Sequence, residues 1–151
     1  VFEEKSLFFK HMRTLSRFID GSAIEHAFIR LENIGKEITN ECMHCGDCAL
    51  ADVAYLCPMS QCPKGQRNGP CGGSYEGWCE VYPNERQCIY VRAYSRLKHY
   101  GEKENLEAYE VPPVDYHLRG TSSWLNYYLG RDHTARRLGL QSPEKEKVES
   151  K

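Results

Sequence analysis

The chain has 151 residues, about the length of one ordinary domain, and its 40% hydrophobic and 27% charged residues suit a folded core and exclude wholesale disorder. Lysine and arginine number 20 against 21 aspartates and glutamates, a formal charge of −1 that argues against a nucleic-acid binder with its basic surplus. No apolar run reaches the roughly 18 residues that a membrane helix requires.

The chain opens on Val1, as a processed chain, a fragment or the ordered part of a longer protein would. Glu3, Glu4, Lys5, Lys10, His11 and Arg13 interrupt the first residues, which therefore do not read as a signal peptide. The expected compartment is reducing and cytoplasmic, where clustered cysteines bind metal more often than they pair.

Residues 1–39 contain no cysteine and predict a helical hairpin packed on a neighbour. Leu7, Phe8, Met12, Leu15, Phe18 and Ile19 recur at helical spacing, and Asp20-Gly21 stops the run. Ser22 and Glu25 form the S-x-x-E pattern of a capping box. Ile24, Ala27, Phe28, Leu31 and Ile34 then form one apolar face, with Gly35 as the expected C-terminal stop.

The segment from Cys42 to Cys88 is different in kind. It is rich in glycine and proline and poor in periodicity, with one helical turn predicted over Asp52–Leu56. Such a loop cannot bury enough apolar surface to order itself, so metal ligation is the expected source of its ordering free energy. A helix is predicted from about Glu85 to Tyr100, with Cys88 near its positive end. Val111-Pro112-Pro113-Val114 reads as an extended connector. Thr121 or Ser122 can cap a last helix carrying Trp124, Leu125, Tyr128 and Leu129, and residues 136–151 read as a mostly disordered tail. The expected fold is thus a small, α-rich, irregular, metal-stabilised domain over residues 40–135, with a cysteine-rich loop core between the N-terminal hairpin and the C-terminal helices.

All eight cysteines lie inside the middle window: Cys42, Cys45, Cys48, Cys57, Cys62, Cys71, Cys79 and Cys88. Thiols at i, i+3 and i+6, as in Cys42-x-x-Cys45-x-x-Cys48, can hold three irons of one cubane. A fourth ligand followed by proline is available twice, at Cys57-Pro58 and at Cys62-Pro63. Eight thiols make two sets of four, and spacing alone does not divide them. Zinc is the alternative, although only one C-x-x-C run is present where zinc sites more usually pair two. His44 sits inside the triplet and reads as a hydrogen-bonding or surface residue before it reads as a ligand. Lys64 and Arg67 can offset cluster charge. No dinucleotide fingerprint, phosphate loop, nucleophile elbow or HExxH is present, so no catalytic residue is assigned.

The runs Cys42-Met-His-Cys45-Gly-Asp-Cys48-Ala-Leu, Tyr55-Leu-Cys57-Pro and Cys62-Pro-Lys-Gly-Gln-Arg-Asn-Gly-Pro-Cys71-Gly-Gly-Ser74 are long and specific. With Gly77-Trp-Cys79, Cys88-Ile-Tyr and Thr121-Ser-Ser-Trp124-Leu-Asn126 they resemble the C-terminal cysteine-rich domain, or small partner subunit, of methylenetetrahydrofolate reductases. The resemblance covers roughly residues 40–135. It implies an electron-relay or structural module beside a flavin-binding (β/α)₈ reductase barrel, in the same or a separate chain. It further implies one or two 4Fe–4S clusters, or zinc, on the eight cysteines, with flavin held only by the barrel and an electron-donor subunit as a further partner. Residues 1–39 then read as the last helices of such a barrel.

Overall fold

The computed structural model describes residues 6–106 and 109–140. Six α-helices occur among them: α1 (Leu7–Ile19), α2 (Glu25–Asn40), α3 (Pro58–Gln61), α4 (Ile89–His99), α5 (Ser123–Tyr128) and α6 (His133–Arg137). Two short 3-10 turns lie at Lys103–Leu106 and Tyr116–Leu118. No strand is formed among the described residues; isolated bridges join Tyr75 to Trp78 and Trp78 to Gln87. None of these helices is long and apolar enough to cross a membrane.

The chain divides into two compact units. The first comprises residues 1–36, 44–48 and 114–151, and the second residues 37–43 and 49–113. Each has its own core. In the first unit Phe9, Tyr127, Tyr128, Ala135 and Leu140 are buried together, with Met12 against them. Phe9 meets Tyr127 edge-on at 6.0 Å and Tyr128 at 5.3 Å, the tilted arrangements that the aromatic quadrupole favours. Arg131 adds a two-pronged pair to Asp20 at 2.8 and 2.6 Å, joining the turn after α1 to the loop after α5. In the second unit Val53, Ala54, Leu56, Ile89, Tyr90 and Ala93 are buried, and Cys62, Cys88, Leu97 and Leu106 pack on them.

The predicted hairpin helices are present, but their apolar stripes are turned outward. α1 buries Phe9 and Ser16, while Leu7, Phe8, Leu15 and Phe18 are exposed. α2 buries none of its residues fully. Its inward side carries Glu32 and Lys36, which contact each other and the start of α5. Glu32 accepts from the Ser123 amide at 3.2 Å and the Ser123 hydroxyl at 2.8 Å, and also from Ser122. Lys36 reaches the Ser123 hydroxyl as well. Polar contacts to α5 decide which side of α2 faces in, so Ile24, Leu31, Ile34 and Ile38 remain exposed.

Several local expectations are corrected. Gly35 does not stop α2, which continues to Asn40; the left-handed residue that ends it is Glu41, at φ 51°. The capping box forms only by half. Glu25 accepts from the Gly21 amide at 2.9 Å, whereas the Ser22 hydroxyl donates back to the Ile19 carbonyl at 2.6 Å. Asp52–Leu56 is a series of turns, because Ala54 and Tyr55 are left-handed at φ 50° and 59°. α4 starts four residues later than the predicted Glu85, since residues 86–88 are taken up by backbone pairing. The C-terminal helix is capped as expected by Ser122, whose Oγ accepts from the Leu125 amide at 3.1 Å. Order also extends beyond residue 135, because α6 ends at Arg137 and Leu140 is buried against the aromatic core. Residues 141–151, the rest of the expected tail, lie outside the described residues.

Candidate metal centre

Within the second unit Cys62, Cys71, Cys79 and Cys88 are among the residues that line one small pocket, open at its mouth. The local backbone explains how four residues spread over the sequence arrive there. Cys62 closes α3, its amide donating to the Pro58 carbonyl at 3.2 Å. Pro58 sets the first turn of that short helix, where its missing N–H costs nothing. Cys79 and Cys88 come from paired backbones. The Cys79 amide donates to the Arg86 carbonyl and the Cys88 amide to the Gly77 carbonyl, both at 2.9 Å. Cys88 is also the N-cap residue of α4, because the helix starts later than the predicted Glu85, and it stays at the end of the helix dipole that favours a thiolate.

Cys71 is the exposed member of the four and lies on the loop that follows Gly69-Pro70. Tyr90 fastens that loop. Its buried hydroxyl donates to the Gln66 carbonyl at 3.0 Å and accepts from the Gly69 amide at 3.2 Å. Burial pushes the Tyr90 phenol up to about 12; the neighbouring Cys62 and Cys88 charges add to the shift, while the Gly69 amide and Arg67 oppose it. Lys64 and Glu80 pair with each other on the cavity wall. A Cβ on Gly73 would sit 2.1 Å from the Glu80 carboxyl carbon, the far end of a flexible side chain that would have to swing aside.

The other four cysteines line none of this cavity. Cys42 follows the end of α2, and Cys57 caps α3. Cys45 and Cys48 sit on the 44–48 segment, which belongs to the first unit and is held there tightly. Left-handed backbone at His44 (φ 51°) and Gly46 (φ 72°) breaks any helix through the triplet. Gly46 is pressed against the chain at Leu118, where a Cβ would lie 1.8 Å from the carbonyl oxygen. Asn126 Nδ2 donates to the Gly46 carbonyl at 2.9 Å, and the Gly120 amide to the His44 carbonyl at 3.0 Å.

Asp47 is the centre of this clamp. It is buried, and its carboxylate accepts from the His133 amide at 3.0 Å, from His133 Nδ1 at 2.7 Å and from the Asp115 amide at 3.1 Å. Burial alone would raise its pKa. The hydrogen bonds from His133 and Asp115, with the His133 charge, outweigh that and hold the carboxyl well below the ordinary carboxylate range. Sequence reasoning passed over Asp47, Asn126, His133 and Tyr90. The only signal for the first was an acidic residue set between two candidate ligands.

None of the eight cysteines is in a disulfide. Among the described residues no three His, Cys, Asp or Glu side chains converge as a site for a single metal ion. A family model described as methylene-tetrahydrofolate reductase C terminal matches residues 22–117. The chain belongs to that family. The resemblance seen in the cysteine runs is thereby shown, and the match begins early enough to include α2 of this reductase C-terminal domain. No curated protein and no solved structure matches the chain.

Proposed function

We propose that this reductase C-terminal domain is an iron–sulfur electron-transfer module, working beside the flavin-containing catalytic barrel of a methylenetetrahydrofolate reductase. The observation that carries the reading is the ring of Cys62, Cys71, Cys79 and Cys88 around one cavity. Four thiols distributed round a cavity suit a cubane, whose irons sit at separated corners and each take one thiolate. A 4Fe–4S cluster bound there supplies single-electron exchange between an external donor and the barrel's flavin.

The chain's own residues have definable parts in this. Cys62, Cys71, Cys79 and Cys88 are the thiolate ligands. The α4 dipole lowers the cost of charge on Cys88. Tyr90 holds the loop that carries Cys71. Cys42, Cys45, Cys48 and Cys57 keep their sequence-based reading as metal ligands, and spacing alone does not assign them to a set.

An anaerobic preparation tests this. The expected protein is brown, with broad visible absorption bleached by dithionite and with acid-labile sulfide matching its iron. Cys79→Ser is expected to remove one centre, about half of the iron and sulfide if two are present, and to leave the rest. A colourless protein holding zinc and no sulfide would overturn the electron-transfer reading and leave a zinc-braced docking domain in its place.

A further inference from the structure

We propose that the four thiols at this pocket are unequal ligands: Cys62, Cys79 and Cys88 are fixed, and Cys71 is releasable, so that the iron it holds is the one open to exchange. This inference rests on the iron–sulfur reading and deepens it.

The backbone carries the distinction. Three of the cysteines have both main-chain groups tied. The Cys62 amide donates to the Pro58 carbonyl at 3.2 Å, and its carbonyl accepts from the Gly65 amide at 2.9 Å. The Cys79 amide donates to Arg86 at 2.9 Å, and its carbonyl accepts from Tyr82 at 3.2 Å. The Cys88 amide donates to Gly77 at 2.9 Å, and its carbonyl accepts from Arg92 at 3.0 Å. Cys71 has neither tie: among the described residues no backbone hydrogen bond is made by residues 70–74. It is also the exposed cysteine, the others being half-buried. Little of the chain presses on this span. A Cβ on Gly72 would meet nothing within 4 Å, and the neighbour of Gly73 is the movable end of the Glu80 side chain.

A thiolate on a pinned backbone stays within reach and re-forms a broken bond to metal, whereas one on an unpinned span leaves with its backbone. The span 70–74 runs from Gly69, whose amide donates to the Tyr90 hydroxyl at 3.2 Å, to Tyr75, which bridges to Trp78. Tyr90 is buried with Val53, Ile89 and Ala93, so its hydroxyl is a fixed point two residues before Cys71. Tyr90 is therefore a positioning residue for Cys71, and it sets how readily that thiol lets go. Release transfers no electron. The Cys71 sulfur–iron bond breaks, Fe²⁺ leaves to an outside chelating ligand, and the freed thiolate takes a proton from water. A three-iron, four-sulfide core then stays on the fixed thiolates, its charge lower by that of the departed ion.

The anaerobically loaded 151-residue chain, incubated with a ferrous chelator and iodoacetamide and then peptide-mapped, tests this. Cys71 is expected to be alkylated ahead of Cys62, Cys79 and Cys88, with iron falling and sulfide unchanged. Tyr90→Phe keeps the ring in the core but drops both hydroxyl bonds. It is expected to speed alkylation of Cys71 about tenfold with helical circular dichroism unchanged. Cys71→Ala is expected to lose about one iron and no sulfide, and Cys79→Ala the iron and sulfide of the whole centre. Alkylation of the four cysteines together, indifference to Tyr90→Phe, or equal losses in the two alanine variants would each overturn this inference and leave the iron–sulfur reading standing. A colourless chain without sulfide would overturn that reading, and this inference with it.

Discussion

Asp47 shows how one buried carboxylate can organise a cysteine-bearing loop. Its three donors come from Asp115 and His133, far along the chain, so a change at Asp47 disconnects the segment carrying Cys45 and Cys48 from what holds it. Asp47→Ala strands two amides and a buried imidazole, and a loss of about 3 kcal/mol of unfolding free energy is expected, read as a lower urea midpoint. An unchanged midpoint would mean the segment is held by Gly46 and Asn126 alone. Tyr128 offers a cleaner titration. Burial raises its phenol above the ordinary value, which is about 10. A raised pKa means that the folded state prefers the neutral phenol, so this contribution is complete below pH of about 10 and is lost as pH rises further. Tyr128→Phe is therefore expected to leave stability at neutral pH nearly unchanged and to move alkaline unfolding to higher pH. Identical alkaline midpoints in the two proteins would rule this out.

At the level of elements, the short helix α5 carries the most consequence per residue. It holds Tyr127 and Tyr128 in the first core and Asn126 on the cysteine loop, and it accounts for the contacts that orient α2. Ser122→Ala removes its cap and is expected to cost about 1 kcal/mol in thermal or chemical unfolding, with additional loss through Glu32. A change within error would place the helix's stability wholly in its packing. The same elements show what a sequence can disclose. Helical periodicity located α1, α2, α4 and α5, because each has a stripe, a stop or a cap within a few residues of itself. It did not say which side of α2 faces in, since that depends on hydrogen bonds to Ser122 and Ser123, about ninety positions away. Gly35 misled for a related reason: glycine ends a helix when it turns left-handed, and here the chain does not turn until Glu41. The cysteines were legible as candidate ligands from spacing alone. That four of them line one pocket was not, because it needs residues 77–79 paired with 86–88 and the Gln66–Gly69 loop fastened to Tyr90.

Across the whole chain, two cores with separate memberships imply, on the iron–sulfur reading, two different responses to loss of metal. The first is closed by aromatic packing around Phe9. The second rests on a modest apolar cluster on which Cys62 and Cys88 themselves pack. On the iron–sulfur reading, stripping the metal anaerobically removes the ordering free energy of residues 62–88 first. Hydrogen exchange is expected to accelerate there while α1 and α5 keep their protection. Equal acceleration in both units, or none in either, would show that metal does not order the second unit.

The clamp on Asp47 also has a consequence in time. His133 follows Asp47 by 86 residues, so during synthesis the cysteine loop leaves the ribosome well before the imidazole that will hold it. At about 20 residues per second the interval is roughly four seconds, long compared with closure of a loop. Throughout it Cys45 and Cys48 lie on a backbone with no clamp. The segment after residue 114 thus acts as a late fastening, and a nascent chain halted before His133 would carry its thiols without the geometry meant to keep them.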